Sequence, residues 1–303
     1  MFVGRRLIDQ PGSWLSTMMV ITVVVLAQPN SFVLAESSSQ TIVEAEEYFP
    51  DQPGHRWKYR GRVTEGVVEQ IADITFVNTS TVMGEEVVDG VTLTVFRDTN
   101  PGNQGASDSY YLRDAAGIRY YGSKPGTELE RQLIPYQIIR FPIQIPSSFQ
   151  QLARKNLDLG IDLDRDGRNE RVDVQAWVTI KGQEPISVPF ATYPEAVRME
   201  ARMSMLVHLS RSGKTVRASD TLIAWFAKGV GLVKYIERQT VPMLGTGKDR
   251  VIEITEELEE AEVGGEIASF GRSKSPAKGV LTHHALDHEL LQIAFPSRLG
   301  AHP

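Results

Sequence analysis

The chain has 303 residues, 41% of them hydrophobic and 23% charged, an ordinary globular balance that leaves room for one large or two small domains and excludes a fibrous repeat or disorder throughout. It contains no cysteine, so disulfides, thiolate nucleophiles, iron–sulfur clusters and cysteine-ligated zinc are excluded. The balance of 38 acidic against 32 basic residues, a net charge of −6, argues against a nucleic-acid partner, which needs a concentrated basic stripe.

Arg5 and Arg6 stand before the almost uncharged run from Trp14 to Leu26, and Val33-Leu34-Ala35 offers compact residues where a signal peptidase reads. This layout predicts a secretory signal peptide over residues 1–35, cleaved after Ala35. Gln28, Pro29 and Asn30 break the run before it reaches the roughly 20 apolar residues of a membrane span. Asp9 and Pro11 disfavour a twin-arginine signal, and there is no cysteine to carry a lipid. The expectation is a soluble periplasmic or secreted protein without a stable membrane anchor.

Strands are predicted at Trp57 to Val63 and Val67 to Val77, then at Val91, Leu93 and Val95 after the tight-turn pair Asp89-Gly90. Tyr110 to Leu112 and Ile118 to Tyr121 flank Asp114-Ala115-Ala116-Gly117, another strand, turn, strand unit. A serine cap predicts one helix over Ser148 to Asn156. Val172, Val174, Ala176, Val178 and Ile180 alternate, and so without a break do Val197, Met199, Ala201, Met203, Met205, Val207 and Leu209, the mark of long half-buried strands. Ser212-Gly213-Lys214 leads to a strand over Thr215 to Phe226, and Leu244 to Lys248 joins strands over Gly231 to Gln239 and Arg250 to Leu258.

With about ten strands, the economical fold is mainly β: a single curved antiparallel sheet, half-barrel or open barrel, with one or two short helices. A two-sheet sandwich is the alternative. The β domain is expected over residues 36–263. Residues 264–303 have the Gly, Ser, Lys and Pro content of a flexible tail, in which Leu286, Leu290 and Ile293 mark a short helix.

Tyr48-Phe49-Pro50, Gly54 and Trp57-Lys58-Tyr59 form one motif, and Ala224-Trp225-Phe226-Ala227-Lys228-Gly229-Val230-Gly231-Leu232-Val233-Lys234 a second. Together they resemble a broad group of exported bacterial proteins of unknown function, over about Tyr48 to Leu258. More distantly the chain looks like the lipoprotein-carrier type of fold, an antiparallel half-barrel whose concave face holds acyl chains. The resemblance implies an envelope binding or carrier role for an apolar ligand or envelope protein, and it supplies no catalytic residues. Read as residues alone, the tryptophans and glycines of both motifs are packing and turn positions, with Gly229 and Gly231 allowing a bend.

One segment carries metal chemistry. Asp162-Leu163-Asp164-Arg165-Asp166-Gly167-Arg168-Asn169-Glu170-Arg171-Val172-Asp173 nearly matches the calcium loop D-x-D-x-D-G. Asp162, Asp164 and Asp166 take the first three ligand positions, the Arg168 carbonyl the seventh, Glu170 the ninth and Asp173 the twelfth, with Gly167 at the sharp turn. Asn169 replaces an apolar residue, Asp173 is shorter than the usual glutamate, and a strand rather than a helix follows. A structural Ca2+ ion is the expected cofactor; the alternative is a solvated acidic turn balanced by Arg165, Arg168 and Arg171.

Other candidates are weaker. His284 and His288 have helical spacing beside His283 and Asp287, but Gln292 stands where a zinc-protease motif begun at His288-Glu289 needs its second histidine. Lys228 to Lys234 is glycine-rich like a phosphate loop, yet strand-like residues follow where a helix is needed. Met199, Met203 and Met205 share one strand face, which fits ordinary core or an apolar ligand surface, and Tyr110, Tyr111, Tyr120 and Tyr121 fit a cavity rim or cross-strand pairing. No G-x-S-x-G elbow is present. The reading is a non-enzymatic exported binding protein, with a structural or interaction module lacking a cavity, and then a secreted hydrolase, as alternatives.

Overall fold

The alternating runs of the sequence become strands of one antiparallel sheet in the computed structural model, which describes residues 39–67, 70–244, 246–264 and 266–267. The expected signal peptide and the tail past residue 267, with His283, His284 and His288, lie outside the described residues. In chain order the strands are β1 (Gln40–Ile42), β2 (Arg56–Val67), β3 (Gln70–Val88), β4 (Val91–Asp98), β5 (Ser107–Asp114), β6 (Gly117–Lys124), β7 (Tyr136–Arg140), β8 (Ile143–Ile145), β9 (Ser147–Asp158), β10 (Arg171–Ser187), β11 (Thr192–His208), β12 (Thr215–Ala227), β13 (Gly231–Met243), β14 (Lys248–Val263) and β15 (Glu266–Ile267). The main sheet runs β7-β6-β5-β4-β3-β2-β14-β13-β12-β11-β10-β9, with β15 beside β14, and β1 pairs with β8 in a small separate ladder. It is an up-and-down meander whose two halves join where β2 pairs with β14. One sheet, not a sandwich, makes the domain.

The sheet curves until its concave face buries itself. Val197, Met199, Ala201, Met203, Met205 and Val207 all point into one core with Val172, Val174, Ala176 and Val178 of β10, as their period of two requires. The two ends of the strand order, β7 and β9, come together: Gln151 Nε2 donates to the Gln137 carbonyl at 3.0 Å, and Tyr136, Ile139, Phe149 and Leu152 share the same core.

The helix expected over Ser148 to Asn156 is corrected by the structure, where these residues lie in β9. Phe149 and Leu152 are both buried although three apart, a spacing that imitates a helical face. The cause is a register shift against β10, where Phe149, Gln150 and Leu152 pair with Val178, Trp177 and Ala176 and Gln151 is left over; such a bulge moves the inward face along by one residue. Ser148 Oγ bonds the Val178 carbonyl at 3.2 Å instead of capping a helix.

The α-helix among the described residues is α1 (Glu128–Leu133), opened by a capping box in which Thr127 accepts from the Glu130 amide and Glu130 from the Thr127 amide. Glu130 is buried, and besides its cap it accepts from Tyr120 Oη and, at 3.0 Å, from Ser123 Oγ. Burial pushes its carboxyl up from the ordinary value, against the lowering effect of these bonds.

The two motifs of the resemblance meet at one end of the barrel. After β1 the chain makes a 3-10 turn (Ala45–Tyr48) and crosses to the β12–β13 hairpin, where Gly229 N donates to the Glu47 carbonyl at 2.8 Å. Trp57 Nε1 donates to the Val230 carbonyl at 2.7 Å and Tyr59 Oη to that of Leu232 at 3.0 Å. The rings of Phe49 and Phe226 lie 4.7 Å apart. Gly231 has φ +91°, and a Cβ there would stand 3.2 Å from Pro50 Cδ, so conformation and contact both select glycine. Gly229 also has a positive φ, +73°, but open space around its missing Cβ. Gly231→Ala is therefore expected to cost about 1–3 kcal/mol and more than Gly229→Ala, as read from urea unfolding midpoints; equal losses would show that the Pro50 contact contributes nothing.

Candidate ligand cavity and acidic loop

The barrel interior is incompletely filled and leaves a cavity of about 200 Å³. The N-terminal crossing supplies Tyr48, Phe49, Pro50 and Asp51 to its wall, β10 to β12 an apolar side with Val178, Met199, Ala201, Leu222 and Ala224, and β7 and β9 the residues Tyr136, Ile138 and Gln151. A chain of rings runs around the interior: Trp57 to Phe96 at 6.2 Å, Phe96 to Tyr111 at 5.4 Å, Tyr111 to Tyr120 at 5.4 Å and Tyr120 to Tyr136 at 5.3 Å. Ring pairs at such spacings stabilise one another edge to face or offset.

The methionine row divides: Met199 borders the cavity, while Met203 and Met205 are core. The tyrosines divide as well. Tyr111 lines the cavity and Tyr120 is buried beside it, whereas Tyr110 and Tyr121 belong to a cluster on the other face with Leu93 and Val95. There Tyr110 Oη donates to Glu86 at 3.0 Å.

The charged side chains of the cavity wall are Asp51, Asp98 and Arg113. Asp51 meets Arg113 at 2.6 Å; burial raises its carboxyl, with Arg113 pulling the other way. Asp98 also lines the wall, accepts from Asn78 Nδ2 at 3.2 Å and lies across the sheet in one row with Ser80 and Trp57. Asn78 is the hub of a buried network. Its Nδ2 also reaches Glu256 at 3.4 Å, its Oδ1 accepts from Asn100 N at 3.1 Å, and Gly102 N donates to Glu256 at 3.3 Å. A 3-10 turn (Pro101–Asn103) thus closes over β2, β3 and β14.

Glu237 and Asp220, both fully buried, follow on β13 and β12. Gln239 Nε2 donates to Glu237 at 2.5 Å. Burial, reinforced by the neighbouring Glu237 carboxylate, drives Asp220 far above its ordinary value. Asp98, Asp220, Glu237 and Glu256 did not stand out in the sequence, since each is a single inward position within a strand. Their parity in the alternation is the signal that could have found them.

The acidic loop lies between β9 and β10. Ligand atoms of Asp162, Asp164 and Asp166 come within 4.8 Å of one another. Asp162 accepts from Asp166 N at 3.1 Å and Gly167 N at 2.7 Å, so the loop turns around its first carboxylate, and Gly167 takes the positive φ of +89° that the turn needs. Asp166 accepts from Arg168 N at 3.0 Å and from Ser210 Oγ at 2.8 Å. Asp164 accepts from Arg211 N at 2.9 Å.

The later loop residues are engaged elsewhere. Glu170 is fully buried and staples two loops together, accepting from Asp164 N at 3.2 Å and Ser210 N at 2.7 Å. Asp173 sits in β10, where it accepts from Asn156 N at 2.8 Å and faces His208 at 3.5 Å. The amide of Asn156 chiefly holds its carboxyl below the ordinary value. The structure therefore gathers three of the expected ligands and gives Glu170 and Asp173 other partners. Of the Lys228 to Lys234 segment, residues 228–230 form the β12–β13 turn and the rest begins β13, with Lys228 facing Glu47 at 3.4 Å and Glu44 at 3.5 Å.

No family model matches the chain and no curated protein matches it. Among solved structures, a protein described as exported, with a YmcC-like fold, from Bacteroides fragilis is 9% identical and covers 71% of this chain and 98% of its own, with a TM-score of 0.28. One described as a lipoprotein, from Parabacteroides distasonis, is 13% identical over 71% of this chain and 98% of its own, at 0.25. A DUF1329 family protein from Desulfovibrio piger is 10% identical over 70% and 87%, at 0.21. At these values function must be argued from this chain's own residues.

Asp220 provides a pH test of the buried acids. Unfolded, it ionises near 3.8; folded, it keeps its proton to higher pH. The stability associated with the neutral form is complete below the unfolded value and is lost as pH rises towards the folded one. Asp220→Asn, which cannot ionise, is expected to melt above the parent at pH 8, with the gap closing towards pH 4. Thermal melts across that range decide it, and a gap independent of pH would show that Asp220 is not the titrating group.

Proposed function

We propose that the protein is an exported, non-enzymatic binding or carrier-like protein of the cell envelope, whose ligand occupies the barrel interior. The observation that carries this reading is the cavity of about 200 Å³ with its aromatic wall. Binding sites for small molecules usually run from about 300 Å³ upwards, so the occupant is a small apolar molecule or one segment of a longer one. Export is supported by the Arg5-Arg6, Trp14 to Leu26 and Ala35 layout, and among the described residues no helix is long and apolar enough to cross a membrane. The full mature chain is expected to take up prodan, a neutral fluorescent naphthalene dye, with a blue-shifted emission, and to carry a small molecule in native mass spectra when purified from its own host. Neither dye uptake nor a copurified molecule would favour the interaction module without a ligand.

For the acidic loop the proposal is a structural calcium ion held by Asp162, Asp164 and Asp166. It is supported by the convergence of their carboxylates and by an Asp164 oxygen that is buried without a hydrogen-bond partner. With three carboxylates, affinity on the order of 10⁻⁴ to 10⁻³ M is expected. Calorimetric titration with calcium is expected to give heat that Asp164→Ala abolishes; no heat in the parent would leave a self-contained turn.

A further inference from the structure

Every second turn of an up-and-down meander lies at the same end of the barrel, so the loop after β9 and the turns after β11 and β13 come together, opposite the β12–β13 turn. They enclose a groove of about 690 Å³ that shares no wall residue with the interior cavity. Leu163, Leu209 and Val216 give it an apolar floor, and Met243 and Leu244 stand beside them 39% and 37% exposed. The charged side chains of its wall are Arg165, Arg211, Lys214 and Lys248 against Asp164 and Asp249. All four basic residues are exposed, and among the described residues Arg165, Arg211 and Lys214 form no ion pair, whereas Arg60, Arg97, Arg113 and Lys124 are each held by a carboxylate. Asp162 and Asp166 belong to the same loop but do not line the groove; amides of the loop occupy both. The backbones that carry the groove are fixed. Leu209 N donates to the Lys214 carbonyl at 2.8 Å and Gly213 N to the Leu209 carbonyl at 2.9 Å, and Thr246 Oγ1 donates to the Met243 carbonyl at 3.0 Å.

Exposed apolar side chains ringed by cations without counter-ions match a surface that offers anionic heads above hydrocarbon. We propose that this end of the barrel docks reversibly on a bilayer containing anionic phospholipid, with Arg165, Arg211 and Lys214 on the headgroup phosphates and Met243 and Leu244 entering the acyl boundary. The guanidinium fork suits phosphate oxygens. An acidic protein would meet the same charges, but Leu244 lies beyond the last pair of the β13–β14 ladder, Met243 with Lys248. An apolar residue at a hairpin tip is placed to insert into lipid, and the export expected from the N-terminal residues brings the chain beside such bilayers. The proposal goes beyond the interior cavity and the calcium ion and depends on neither.

Cosedimentation of the full mature chain with phosphatidylcholine vesicles, with and without about a quarter of phosphatidylglycerol, tests this in EDTA, where calcium cannot bridge protein and lipid. Binding is expected to be about tenfold tighter on the anionic vesicles and to weaken as salt screens the charges. Arg211→Gln with Lys214→Gln is expected to weaken it about tenfold, while Arg56→Gln with Arg238→Gln, which removes the same charge from exposed positions outside the groove, changes it less than about twofold. Met243→Ser with Leu244→Ser is expected to weaken it about fivefold with the basic residues intact. All six positions are exposed, so the variants are expected to fold, and thermal melts confirm it. Equal binding to neutral and anionic vesicles, equal losses from the two charge-removing pairs, no loss from the Met243 and Leu244 pair, or no binding to either vesicle would each overturn the proposal. Soluble poly-glutamate bound as tightly as the anionic vesicles would overturn it in favour of an acidic protein.

Discussion

A single antiparallel sheet with no covering layer excludes water from one face only by curving until that face meets itself. In this protein the ends of the sheet meet without a continuous ladder. Pro135, Pro142 and Pro146 punctuate the chain around β7, β8 and β9, and proline removes the amides that a ladder would use. Closure falls instead to side chains: Gln151 to the Gln137 carbonyl, and Tyr136, Ile139, Phe149 and Leu152 packed into the common core. The rest of the structure follows from that seam. The short β1–β8 ladder covers the region where β7 and β9 lack a mutual partner, and the chain that leaves β1 then crosses to the β12–β13 turn, which joins the seam side of the barrel to its far wall.

That crossing explains why two separated motifs belong together. Tyr48-Phe49-Pro50 and the glycine turn are far apart in the chain, but Phe49 packs on Phe226, Glu47 receives the Gly229 amide, and Trp57 is fixed by the Val230 carbonyl. Tyr48, Phe49, Pro50, Trp57 and Phe226 also border the cavity, so packing at this end and the shape of the binding space are one feature. A tryptophan held at its nitrogen presents its ring in a fixed orientation, and Phe96 and Tyr111 continue from it.

The strands were legible because burial on one face leaves a period of two that survives in the chain, as in β11. Where a bulge breaks the period, as at Gln151, the spacing of Phe149 and Leu152 reads as helix; the partner strand β10 decides otherwise, and no local pattern reports it. Helix α1 was legible and passed over, since Thr127 and Glu130 spell its capping box. The acidic loop shows the same division at a site. Asp162 gathers the turn locally through the amides of Asp166 and Gly167, as the spacing encodes, whereas Asp164 and Asp166 are also held by Arg211 and Ser210, Glu170 by Ser210 and Asp173 by Asn156 and His208, partners that the loop's own spacing does not reveal. The cavity was legible in part: Met199 and Tyr111, which line it, had a ligand surface or rim as one of two readings, but the rest of its wall is assembled from residues distant in sequence.

The loop and the cavity occupy different parts of the same strands, which separates their physical roles. Val172, where β10 leaves the acidic loop, pairs with Val207, while the cavity begins at Val178 and Met199, six strand residues further along β10 or about 20 Å at 3.3 Å per residue. Glu170 ties the loop to the amide of Ser210, just beyond β11, so a charge change in the loop acts first on how β10 and β11 are held at that end. The intervening side chains, Val174, Ala176, Met203 and Met205, are buried and apolar, with Asp220 opposite Met203 on β12. A cation in the loop would accordingly stiffen the outer end of the β10–β11 hairpin and leave the aromatic wall unaltered, whereas a ligand in the cavity would act on the N-terminal crossing and the β7–β9 seam that enclose it.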